Sequence, residues 1–260
     1  MTLITYIWVG LLGLAIGSFL NVVIYRLPRK IKFLLERSAC PHCSTPLKWY
    51  HNIPLVSFAV LRGKCAFCHM PISWRYPVVE SLNAAAYIYF LWQLGFSAQL
   101  PAYAFLSSVL IAIFFIDLEF KIIPDVLSLP GIVVGLSSSA WPGGIGFLNA
   151  AIGMVVGGGA LYLIAMLGDW LFKKESMGGG DIKMAAMLGA FLGWQKILLV
   201  FFVSSVIGLL VALGAMSVSE KLRRHRVIPF GPFLALAAML AVLYGDRLLG
   251  FYVHTLLAIP

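Results

Sequence analysis

From Leu3 to Ile24 almost every position is apolar. The few polar residues recur neither with the alternation of a strand nor as the stripe of an amphipathic helix. About 20 such residues in helical form cross the roughly 30 Å hydrocarbon core of a bilayer. Comparable runs recur near 77–95, 102–118, 125–141, 145–168, 182–194, 196–217 and 229–256, with 182–194, the sixth of the eight, short and interrupted by glycine. The pattern predicts an all-α, polytopic membrane helix bundle of about eight transmembrane helices. In the first run, Gly17 and Ser18 are followed by further apolar residues rather than by a polar domain. Residues 1–25 are therefore expected to be a permanent first transmembrane helix and not a cleaved signal peptide.

One segment, 26–76, breaks the pattern. It holds all four cysteines and nine of the 19 Lys and Arg residues, against a single acid, Glu36. It separates the first helix from the remaining helices of 77–260, so three parts are expected. Across the chain 61% of residues are apolar and 11% charged, where a soluble domain carries about 25% charged. The net charge of +9 hints at nucleic acid until its distribution is read. Basic residues lie in alternate connections: 26–75, Lys121, then Lys173, Lys174 and Lys183, then Lys221, Arg223, Arg224 and Arg226. Connections near 96–101 and 142–145 are uncharged, and only Lys196 and Arg247 fall on the second side. Short basic loops stay in the cytoplasm. The expected topology has the N-terminus outside, the cysteine segment inside and the C-terminus outside. The basic charge then reports orientation and contact with the lipid bilayer, and no nucleic-acid partner is expected.

The cysteines read Cys40-Pro41-His42-Cys43 and Cys65-Ala66-Phe67-Cys68, two C-x2-C pairs 21 residues apart. Each pair brings two thiolates to one edge of a tetrahedron, a spacing typical of structural zinc. The loop between them is too small to bury a core, so a metal would serve as its cross-link. Disulfides are disfavoured on the reducing side of the membrane, and a redox C-x2-C comes singly beside a thioredoxin-like pattern. His42 and His69 flank the pairs, but four thiolates already close the shell.

Ten acids occur in the whole chain, and three lie at cytoplasmic ends of runs: Asp117, Asp125 and Asp181. A carboxylate at a helix centre costs about 2.5–3.5 kcal/mol to insert, less at an end, and such residues often mark function. For Asp125, which follows Pro124, an ordinary capping role competes with a functional one. Asp181 follows Gly178-Gly179-Gly180, which permits positive φ and the close approach of another chain, such as an extended peptide. Two aspartates sharing a site divide one proton between them and can serve together as general base and general acid. Gly153 and Gly157-Gly158-Gly159 fall within the fifth run and are expected to pack helices rather than cradle phosphate.

In order along the chain stand Gly17-Ser18-Phe19-Leu20-Asn21 through Arg26-Leu27-Pro28, the two cysteine pairs with Arg62-Gly63-Lys64-Cys65, and Arg75-Tyr76-Pro77. Asp117-Leu118, Ile123-Pro124-Asp125, Gly178-Gly179-Gly180-Asp181 and Gly189-Ala190-Phe191-Leu192-Gly193-Trp194 follow. Over its full length the chain resembles the type IV prepilin peptidases, the leader peptidase/N-methyltransferase family of bacterial pilus, type II secretion and competence systems. Its glycine–aspartate motif is the GxGD pattern of membrane aspartic proteases. The resemblance implies that Asp117 and Asp181 are catalytic, that Asp125, Gly178 and Gly180 support them, and that 77–260 is the peptidase domain. It implies cleavage of prepilins or pseudopilins on the cytoplasmic face of the bacterial inner membrane, after a glycine that follows a short basic leader. It further implies N-methylation of the new N-terminal residue, usually Phe, with S-adenosylmethionine as donor, since the cysteine loop accompanies the bifunctional members. No residues for the methyl donor can be read from the sequence. A proton- or cation-coupled transporter and a non-catalytic assembly factor are the competing readings. The first would be expected to show duplicated halves with helices interrupted at the midplane, and the acids here lie at helix ends.

Overall fold

The computed structural model describes residues 2–31, 38–173, 177–218 and 229–251. The basic residues of 221–226 and the acid Glu36, used above to orient the chain, lie outside them. The uninterrupted apolar runs form helices, because a helix satisfies its own backbone hydrogen bonds where no water is at hand. In chain order these are α1 (Leu3–Arg26), α2 (Val56–Val60), α3 (Arg75–Leu94), α4 (Leu100–Phe120), α5 (Asp125–Ser139), α6 (Phe147–Phe172), α7 (Gly179–Val218) and α8 (Gly231–Phe251). Helices α1, α4, α6, α7 and α8 are long and apolar enough to cross a membrane, and α5 is a shorter apolar helix. The expected all-helical, multi-pass architecture is the one the chain adopts. Two compact units are present, Met1–Ala112 and Ile113–Pro260, and their boundary falls within α4.

In the first unit α1 and α3 run antiparallel, with Gly10 beside Ile88, Gly13 beside Ala84 and Gly17 beside Glu80. A Cβ on either Gly13 or Gly17 would lie 2.7 Å from a Cα of α3, so the two backbones touch. This is the close approach that small residues four apart permit in a membrane. It brings polar groups into reach of each other. Asn83, wholly buried, donates to the carbonyl of Gly13 at 2.8 Å and accepts from the Ser108 hydroxyl at 2.8 Å. Ser108 and Tyr87 are 3.0 Å apart in the same network. Antiparallel pairing also sets Arg26 and Arg75 at one end, so the cysteine loop leaves and returns at the same place.

In the second unit, α6 packs against α7 through the glycines that the sequence marked for packing. Any Cβ on Gly153 would overlap the carbonyl of Gly189, and the reverse holds too. Gly157 and Gly158 also meet α7, whereas Gly159 has nothing within 4 Å. The expected sixth and seventh runs appear as one hydrogen-bonded element of 40 residues with a break at Gly193, φ 77° and ψ 172°. That backbone region belongs almost solely to glycine. Gly157 touches both Ala185 and Ile197, which a straight helix would hold about 18 Å apart at 1.5 Å per residue. The chain therefore folds back at Gly193, and α7 is two limbs of a helical hairpin.

Adding a methyl at Gly189 should destabilise the purified protein by at least about 1–3 kcal/mol, read as a lower melting temperature in detergent. Gly159→Ala should be neutral or gain up to about 1 kcal/mol from helix propensity. Equal losses from the two variants would contradict the α6–α7 contact.

Candidate active site and metal centre

Asp117 lies in the last turn of α4 and is 5% exposed. Its carboxylate accepts the backbone N–H of Gly231, the first residue of α8. The first N–H groups of a helix have no partner within it and carry partial positive charge, so the start of α8 suits an anion. A Cβ on Gly231 would stand 2.6 Å from Asp117 Oδ2. Only glycine lets that N–H reach the carboxylate.

Asp181 is the third residue of α7. Its carboxylate accepts N–H groups from Gly178 and from its own backbone, again at a helix start. The other oxygen, Oδ1, is buried and has no hydrogen-bond partner among the described residues. The two carboxylates are near enough to act on each other electrostatically. The structure thus brings Asp117 and Asp181 together. Asp125 is not the cap of α5: that place is taken by Pro124, and no side chain caps the helix. Asp125 opens α5 and pairs with Lys183 Nζ at 2.6 Å, both side chains about half exposed. A lysine partner occupies it from outside the pair.

The glycines before Asp181 do not use positive φ; the described glycines that do are Gly63, Gly95, Gly143, Gly146 and Gly193. Their use is space. Gly178 faces the Asp181 carboxylate, Gly179 is open, and a Cβ on Gly180 would lie 2.9 Å from the Cβ of Ile123 and 3.1 Å from its carbonyl oxygen. What approaches Gly180 is this chain's own Ile-Pro-Asp turn, where an extended peptide was expected. Ile123, Gly231 and Lys183 escaped the sequence reading as site residues. The signal for Gly231 was available in Phe230-Gly231-Pro232, because proline close to a helix start marks where free N–H groups lie.

The cysteine loop is built of two copies of one knuckle, 25 residues apart in the chain. In the first, the N–H of Cys40 bonds to Thr45, that of Ser44 to Cys40, and that of Leu47 to Ser38. In the second, Cys65 bonds to Met70, His69 to Cys65, and Ile72 to Gly63 in the same pattern. Ser44 and His69 hold matching positive φ of 55° and 57°. The four cysteines are free thiols, and their sulfurs lie within 4.8 Å of one another. Cys40 and Cys68 Sγ are 3.8 Å apart. A tetrahedral tetrathiolate with metal–sulfur bonds of about 2.3 Å has edges of about 3.8 Å, so the arrangement fits a metal of that kind. His42 and His69 are not in the cluster. The Thr45 hydroxyl and N–H pull the Cys43 thiol down to about 6, and the N–H groups of Cys68 and Phe67 lower Cys65. Both favour thiolate, the form that binds metal, whereas burial and the neighbouring sulfurs push the Cys68 thiol up to about 12. The loop is tied to α3 where the N–H of Leu55, at φ 59°, donates to Glu80 at 2.9 Å.

Two family descriptions match the chain: the bacterial peptidase A24 N-terminal domain over residues 11–94, and the type IV leader peptidase family over residues 104–213. The chain is 35% identical to a prepilin leader peptidase/N-methyltransferase of Legionella pneumophila, with 95% of this chain and 94% of that protein aligned. It is 38% identical to the protein of the same name from Stutzerimonas stutzeri, over 94% and 92% of the two chains. The Aeromonas hydrophila protein of that name is also 38% identical, over 96% and 94%. No solved structure matches the chain.

The Asp125–Lys183 pair is exposed, so a double-mutant cycle with Asp125→Asn and Lys183→Met should give a coupling of about 0.2–1 kcal/mol, reduced by salt. A much larger, salt-insensitive coupling would mean that the pair is buried in solution.

Proposed function

Because the chain belongs to the type IV leader peptidase family, we propose that it removes the short basic leader of prepilins or pseudopilins by aspartic proteolysis and then N-methylates the new N-terminal residue. Cleavage falls after a glycine on the cytoplasmic face of the bacterial inner membrane, and the N-terminus of the enzyme lies outside. The observation that carries this reading is the meeting of two carboxylates at helix ends, one with a buried oxygen that has no partner.

Asp117 and Asp181 act as a pair that shares one proton, so the titration belongs to the pair rather than to either residue. The ionised member takes a proton from water as the water oxygen bonds to the scissile carbonyl carbon. The protonated member hydrogen-bonds the carbonyl oxygen as it gains negative charge. When the C–N bond breaks, a proton passes to the leaving amine and the pair returns to its starting state. The N–H groups of Gly231 and Gly178 keep the carboxylates oriented throughout. Asp125, held by Lys183, supports the site from its rim.

Methyl transfer from S-adenosylmethionine rests on the names of the relatives, and no residue of this chain is assigned to it. Cys40, Cys43, Cys65 and Cys68 hold zinc, which supplies a cross-link to a loop without a core of its own.

Asp117→Asn and Asp181→Asn each keep the side-chain shape and lose proton exchange. Each should abolish cleavage of a Gly-Phe junction in a model prepilin, with membrane insertion unchanged, while Asp125→Asn keeps measurable activity. A dead Asp125→Asn beside an active Asp117→Asn would make Asp125 the partner of Asp181.

Metal analysis of the purified chain should find about one zinc per polypeptide. Cys65→Ser should lower both metal content and expression before it slows the cut. Zinc-free protein of normal stability would refute the cross-linking role.

A further inference from the structure

Ile123 touches the structural supports of both aspartates at once. On one side its Cβ and carbonyl oxygen lie against Gly180, 2.9 Å and 3.1 Å from where a Cβ would stand. Gly180 is the residue that leads directly into Asp181. On the other side its Cδ1 lies 3.0 Å from the Cβ position of Gly231, whose N–H holds Asp117. One isoleucine side chain thus spans from the start of α7 to the start of α8. Both supports are glycines, and at both the contact is tighter than a side chain would allow. A larger residue at either wall would press on Ile123, which fills the space between the two. The turn that carries Ile123 is fixed in its own right: Pro124 sets its φ, and Asp125 is tied to Lys183 of α7.

We propose that Ile123 is a positioning residue, a spacer that sets the separation of Asp117 and Asp181. The proposal rests on the reading of those two residues as the catalytic pair. Ile123 fills the space between Gly180 and Gly231, so it keeps the start of α8 from closing onto α7. Removing part of it lets the start of α8 settle toward α7. Closer carboxylates repel more strongly and hold one proton between them over a wider pH range. The charged groups borne by the surrounding elements are Asp117 and Glu119 on α4, Lys121 in the turn, Asp125 on α5, Asp169 on α6 with Lys173 just after it, and Asp181, Lys183 and Lys196 on α7. The first turn of α8 contributes backbone N–H groups and no charged side chain.

The test is steady-state cleavage of a model prepilin by the purified full chain in detergent, over a pH series, with three variants. Ile123→Val deletes the Cδ1 that meets Gly231 and leaves the Cβ that meets Gly180. It should lower kcat about tenfold, the scale of a sub-ångström to ångström misplacement. KM should stay within about twofold, and the acid and alkaline limbs of the pH profile should move apart. Gly180→Ala adds a methyl against Ile123, pushes Asp181 away, and should slow the reaction while drawing the two limbs together. Ile132→Val makes the same deletion two turns further along α5 and should change neither quantity. If Ile123→Val behaves as Ile132→Val does, or lowers kcat with an unchanged pH profile, Ile123 is packing and not a spacer. Should Gly180→Ala fail to insert, the Ile123→Val comparison decides alone. Cleavage by Asp117→Asn or Asp181→Asn would overturn the catalytic pair itself, a result that the Ile123 variants cannot produce.

Discussion

The first N–H groups of an α-helix have no partner inside it, and in a bilayer there is no water to take them. An anion placed there answers two demands at once, since the helix start needs acceptors and a carboxylate needs donors. Asp117 receives the N–H of Gly231 at the start of α8, and Asp181 receives that of Gly178 at the start of α7. The cost of placing a carboxylate in a membrane helix, about 2.5–3.5 kcal/mol at mid-span, is thereby reduced where the two residues sit. Much of the second unit follows from this constraint. Helix starts have to be brought to one point, which requires that α6 and α7 pack backbone to backbone and that α7 fold back at Gly193.

Glycine serves three different purposes along the chain, and composition does not distinguish them. Gly13, Gly17, Gly153 and Gly189 remove side chains so that helices touch. Gly193 adopts a backbone conformation that other residues cannot hold. Gly180 and Gly231 make room for Ile123 and for a hydrogen bond to Asp117. The apolar runs that these glycines interrupt were plain in the sequence, because a lipid-facing helix needs apolar residues on every side and leaves a simple signal. The paired cysteines were equally plain, since their spacing is local and its chemistry narrow. Asp117 and Asp181 were visible as acids too near the membrane to be incidental. The partners of these acids were hidden because they come from far along the chain. Lys183 and Asp125 are 58 residues apart, and Gly231 stands over a hundred residues beyond Asp117. Three glycines before an aspartate suggested room for a substrate. At Gly180 that room is filled by Ile123, a long-range packing choice that no local pattern announces.

The cysteine loop solves a different problem with the opposite means. Residues 38–74 contain few buried apolar side chains, Cys40 and Cys65 being the main ones, so hydrophobic burial cannot define their shape. Two identical knuckles, each closed by the same three backbone hydrogen bonds, orient four sulfurs toward one point instead. Holding unbridged thiolates close together is costly unless a cation lies between them. The lowered Cys43 and Cys65 show that neighbouring N–H and O–H donors carry part of that burden. Glu80 carries the anchorage: it accepts the N–H of Leu55 while its own backbone touches Gly17 of α1. The loop shaped by these knuckles is thereby fixed to the α1–α3 pair.

Asp125, the third acid that the sequence places at a helix end, differs from Asp117 and Asp181 in the partner it takes. Lys183 Nζ sits 2.6 Å from the Asp125 carboxylate, with both side chains about half exposed. The pair is exposed and adds at most about 1 kcal/mol to stability, so its value does not lie in holding the fold. Asp117 and Asp181 are held differently, by backbone N–H groups at helix starts and not by a side-chain cation. The Asp125–Lys183 pair joins the start of α5, next to the turn that carries Ile123, to the first turns of α7.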